Sequence, residues 1–78
     1  MLVKEKKLIV TYYTSSMAFA TEKACAKELI TGKLISAPRE VSADCGISFA
    51  TDVENKEKII ETLRKYNVEY DKIVELEI

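Results

Sequence analysis

Pro38 is the only proline in this 78-residue chain, and it falls inside a run, residues 33–41, that otherwise reads as a β-strand. Proline has no amide hydrogen to give to a ladder, so such a run must lie at the edge of its sheet. Residues 7–14, Lys-Leu-Ile-Val-Thr-Tyr-Tyr-Thr, are β-branched and aromatic enough to predict a first strand. Residues 16–31 are good helix formers, with Thr14, Ser15 and Ser16 supplying N-cap chemistry and Gly32 placed as the left-handed closing residue. Residues 46–53 alternate Ile47, Phe49, Thr51 and Val53 with Gly46, Ser48, Ala50 and Asp52, which predicts a strand with one buried face. Residues 54–66 set Ile59, Ile60, Leu63 and Tyr66 on one helical stripe, with Asn67 as terminator, and residues 71–78 alternate again as a last strand.

The order β-α-β-β-α-β predicts an α+β, ferredoxin-like domain: a four-stranded antiparallel sheet with two helices on one face. Strands one and three are then central, and Pro38 sits on an edge strand. A chain of this length supports one core, so a single domain over residues 1–78 is expected, with residues 1–6 loose.

Composition narrows the function. Twelve basic against thirteen acidic residues leave no positive excess for a phosphate backbone, so nucleic acid is not an expected partner. The apolar run after the charged first residues is too short for a secretory signal or a membrane span, and the expected location is the cytoplasm. With no histidine and only Cys25 and Cys45, one chain cannot build a four-ligand zinc site, and neither metal nor cofactor is expected. The two thiols belong to different parts of the predicted fold and are expected to be reduced.

The chemistry points to Cys45. It sits among small, polar and turn-forming residues in the link Pro38-Arg39-Glu40-Val41-Ser42-Ala43-Asp44-Cys45-Gly46. The predicted topology brings this link to the sheet end where Ser15 and Ser16 open the first helix. Free amide hydrogens and the positive dipole end there favour an anion, and a thiolate is the anion on offer. Arg39 either adds a second positive influence or is a solvated edge charge. Ser42 and Asp44 either fix the turn or touch a ligand. Gly46 removes bulk beside the sulfur. Cys25 clusters with Ala18 and Leu29 as a packing residue. Glu22 falls in the same apolar stripe, where a carboxylate is costly without a partner; it is expected either as a buried supporting acid, with Arg39 as one partner, or turned out to solvent. Tyr66 and Tyr70 flank a turn at the Cys45 end as candidate walls. Ile9, Thr11 and Tyr13, with Ile73 nearby, form the expected open sheet face, a candidate homodimer surface.

The Pro38-Arg39 pair, Val41-Ser42 and Cys45-Gly46, preceded by Ser15-Ser16 with Ala18 and Glu22 on the helix, resemble a family of small bacterial selenium/sulfur carrier-like proteins over about residues 7–70. The resemblance implies that Cys45 holds sulfur or selenium as a persulfide or perselenide, that Arg39 and Ser42 shape its pocket, and that Glu22 supports it. It also implies donor and acceptor proteins of selenium or sulfur metabolism as partners, and a carrier without turnover chemistry of its own. Lys33, straight after Gly32, is a departure from the apolar strand entry expected there. Two other readings compete: a non-catalytic interaction module in which Cys45 is incidental, and a thiol redox enzyme or peroxide sensor, the latter weakened by the lack of a resolving cysteine.

Overall fold

A computed structural model describes residues 5–38, 41 and 46–77. The elements are β1 (Lys6–Thr11), α1 (Ser15–Lys27), β2 (Gly32–Ser36), β3 (Ile47–Asp52), a 3-10 turn (Val53–Asn55), α2 (Lys56–Lys65) and β4 (Lys72–Glu77). They build one antiparallel sheet in the order β2-β3-β1-β4, the ferredoxin-like arrangement. Lys6 already pairs with Glu77, so the expected loose start does not extend to that residue.

The main core lies between sheet and helices. β1 contributes Leu8 and Val10, Tyr12 follows directly after it, β3 contributes Phe49, α1 contributes Ala18 and Cys25, and α2 contributes Ile59 and Leu63. A large apolar side chain withdrawn in this way contributes about 1.5–3 kcal/mol. The opposite face of the sheet is also covered in part. Ile9, Thr11 and Ser48 are wholly buried there, and Val41 packs with Ile9 and Ala50 in a second, smaller cluster. β3 is therefore buried on both faces, not one. Of the expected self-association surface only Tyr13 is exposed, while Ile73 packs on the helix side and Val74 takes the other face.

Both helices stop in the same way. After α1, Glu28 is the C-cap and Leu29 adopts a left-handed conformation with φ 57°. The amide of Ile30 bonds the Cys25 carbonyl at 2.8 Å, and that of Leu29 bonds the Ala26 carbonyl at 3.4 Å, a Schellman closure. After α2, Asn67 takes the left-handed position with φ 55°, and Val68 bonds the Leu63 carbonyl at 2.9 Å. Asn67 thus ends its helix as expected, whereas Gly32 does not end α1. Gly32 opens β2, where a Cβ would come within 2.4 Å of the Phe49 ring. The glycine is required by close approach.

β2 ends at Ser36, so Pro38 lies just beyond the edge strand and not within it. Its carbonyl accepts the Val41 amide at 3.1 Å, a bond outside the ladder.

Candidate functional site

The end of the sheet that matters is set by the register. Thr11, the last residue of β1, stands opposite Ser48 on β3 and Lys72 on β4. Four residues later α1 begins at Ser15. Two residues before Ser48, the Gly46 carbonyl accepts the Ala37 amide at 2.9 Å, extending the β2–β3 ladder by one step. Both ends of the connection 38–45 and the opening of α1 therefore share one end of the sheet, as the topology predicted.

Gly46 is exposed with φ 72°, and a Cβ there would meet nothing within 4 Å. Its glycine is needed for the sign of φ alone. Val41 is only 8% exposed and anchors the connection to Ile9 and Ala50. The remaining candidates on the link, Arg39, Ser42, Asp44 and Cys45, lie outside the described residues.

Among the described residues the start of α1 has no side-chain cap from Thr14 and no acid in its first turn. Thr14 has the extended backbone of an N-cap, φ −135° and ψ 151°. The Met17 amide reaches the Thr14 carbonyl at 3.3 Å. Ser15 and Ser16 are exposed beside it. Amide hydrogens at an uncapped N-terminus, together with the helix dipole, favour a negative charge.

Glu22 does not occupy the apolar stripe. Its side chain is exposed, as are Ala26 and Leu29, and the buried face of α1 is Ala18, Thr21, Ala24 and Cys25. Thr21 takes the place expected for the acid because its hydroxyl donates to the Met17 carbonyl at 3.0 Å, which removes most of the penalty of burying it. The buried-acid reading is thereby corrected, and the solvent-facing alternative is the observed one.

Tyr66 is not a wall of this end. Its hydroxyl donates to Glu28 Oε2 at 2.9 Å, just past the C-terminus of α1, and Lys65 Nζ donates to the same oxygen at 3.1 Å. A helix of thirteen residues puts that cluster about 20 Å along the axis from Ser15. The hydrogen bond from Tyr66 and then that from Lys65 hold the Glu28 carboxyl below its ordinary range.

Cys25 is a free thiol, 1% exposed, and desolvation pushes its pKa up to about 11. It is neutral and shielded, the reverse of a nucleophile's setting. Two residues escaped the sequence reading. Val41 passed for the end of an edge strand, although it is the one large apolar residue in the link. Ser48 is wholly buried with no hydrogen-bond partner for its hydroxyl among the described residues, and a serine alternating with Phe49 gave no sign of that.

No cluster of metal-binding side chains occurs among the described residues, and none of their helices is long and apolar enough to cross a membrane. Neither curated proteins nor solved structures matched the chain. One family did: the sequence model described as "Putative Se/S carrier protein-like" matches residues 7–75.

Proposed function

The chain belongs to the Se/S carrier protein-like family, and from that premise we propose that Cys45 accepts a sulfur or selenium atom and passes it on. The family match spans Cys45 and both flanking strands, and it is the observation that carries the reading. The geometry supports it: the chain next to Cys45, at Gly46, enters β3 at the sheet end where, among the described residues, α1 opens with no cap from Thr14 and no acid in its first turn. A thiolate near such an end is stabilised relative to the thiol.

The transfer balances without an external oxidant. The Cys45 thiolate attacks the terminal sulfur of a donor persulfide, the new S–S bond forms as the donor's S–S bond breaks, and the donor leaves as a thiolate. A selenium atom carried as a donor perselenide moves by the same exchange. Handing the atom to an acceptor thiolate reverses these roles, with Cys45 as leaving group. Donor and acceptor are then proteins that present a persulfide and a thiolate, and Ser15, Ser16, Arg39 and Ser42 are the groups that shape the negative site. Glu22, being exposed, has a role only at the surface.

The test is mass spectrometry of the full chain after incubation with a cysteine desulfurase and free cysteine. One added sulfur on the peptide containing Cys45, absent in Cys45→Ser, is the expected result. Addition on Cys25, or none on a folded protein, overturns the reading.

A further inference from the structure

The sheet face away from the helices is unevenly covered. Near the 38–45 connection Thr11 and Ser48 are wholly buried. Toward the other end a depression of about 530 Å³ opens, lined among others by Lys7, Gly32, Lys33, Ile35, Ala50 and Asp52. The register explains it. Ala50 stands across from Lys33 on β2 and from Ile9 on β1, so the smallest side chain of that row lies between two larger ones. Ile35 walls the depression on one side, and the Lys7–Asp52 pair closes the other, with Nζ 2.7 Å from Oδ1.

The charges at the rim are not equivalent. Lys7 is neutralised by Asp52 and by Glu5, whose carboxylate is 3.4 Å away. Lys33 is exposed and has no ion-pair partner among the described residues. The depression therefore offers an apolar floor with one uncompensated ammonium beside it.

We infer that this depression binds a small organic acid, one carboxylate on an apolar body, with the carboxylate on Lys33 and the body over Ala50 and Ile35. The volume lies within the range of small-molecule sites, about 300–1,000 Å³. At the far rim Lys7 is shared between Asp52 and Glu5, which leaves that cluster with a net negative charge; this disfavours a second anionic group and so favours a monoanion over a phosphate ester. The site borders the 38–45 connection, whose Val41 packs beside Ala50 and Ile35, and its rim at Lys7, Gly32 and Asp52 lies toward the opposite end of the sheet; it does not depend on the carrier reading.

The probe is naphthalene-2-carboxylate, titrated into the full chain and followed by amide chemical shifts. Saturable binding with Kd on the order of 1 mM is expected for an acid of this size, with shifts concentrated at Lys33, Ile35, Ala50 and Asp52. Lys33→Glu should weaken it by about tenfold or more, and Lys33→Arg should hold it within about twofold, because the guanidinium keeps the charge-assisted bond. Lys33 is exposed, so both variants should unfold at the parent temperature. Equal affinity for the uncharged naphthalene-2-methanol, shifts that do not saturate, or undiminished binding to Lys33→Glu would overturn the inference.

Discussion

The Tyr66 hydroxyl donates to Glu28 Oε2 at 2.9 Å, joining the last turn of α2 to the end of α1 across 38 residues of sequence. The bond is charge-assisted while Glu28 is ionised and needs the Tyr66 proton. Glu28 titrates below its ordinary 4.5, chiefly through Tyr66, so its contribution is present above that pH and lost as pH falls through the folded value. Tyr66 titrates above its ordinary 10.0, chiefly through Glu28, so its contribution is present below pH 10 and lost as pH rises through the folded value. Tyr66→Phe should therefore melt slightly lower than the parent at pH 7, and the difference should shrink in acid, below the Glu28 titration. Thermal melts at a series of pH values check this.

Gly32→Ala should destabilise the fold by about 1–3 kcal/mol, the range for overpacking a filled core. The added Cβ would meet the Phe49 ring at 2.4 and 2.6 Å and the Ala50 carbonyl oxygen at 2.8 Å, and Phe49 is 1% exposed with little room to move. Combining it with Phe49→Leu should cost less than the sum of the two single changes, measured by urea unfolding.

Leu29→Gly should stabilise the protein by about 1 kcal/mol. Leu29 is 91% exposed, so it forfeits almost no packing, yet it holds φ 57° where a Cβ is strained. A melting temperature raised by about 4–8 °C is the expected readout for a domain of this size.

Cys25 makes stability depend on alkaline pH. Its thiol ionises at about 9.0 when exposed and at about 11 when buried, so the unfolded chain loses its proton first. The folded state's advantage is complete below pH 9 and falls as pH rises toward 11, by on the order of 2 kcal/mol. Cys25→Ala should flatten this part of the profile in denaturant titrations. In the parent at pH 6, iodoacetamide should label the Cys45 peptide well before the Cys25 peptide.

The order of elements was legible because residues 7–14 are rich in β-branched and aromatic types, residues 46–53 and 71–78 alternate, and Ile59 and Leu63 recur at helical spacing in the core. Helix ends were legible only where the residue type matched the backbone. Asn67 suits a left-handed position, but Leu29 does not, so Gly32 took the expectation that belonged three residues earlier. On α1 the polarity of Thr21 hid its burial, because a hydroxyl that bonds its own helix behaves as a small apolar group. That one residue shifted the projected stripe and drew Glu22 into it. The candidate site was legible as a place, since topology alone sets which loops share a sheet end. The second cluster under Val41 was not, because nothing local marks a loop valine that returns to the sheet.

The burial of Leu8, Ile9 and Val10, all with no exposed surface, means that consecutive side chains of β1 are inside on both faces. β1 is also flanked by strands on both edges. Solvent deuterium can therefore reach these amides only through openings that dismantle both clusters at once. Their exchange rates should read out the free energy of complete unfolding, while Leu34 and Ile35 on the edge strand β2 trade hydrogens through fraying that leaves the rest of the molecule intact.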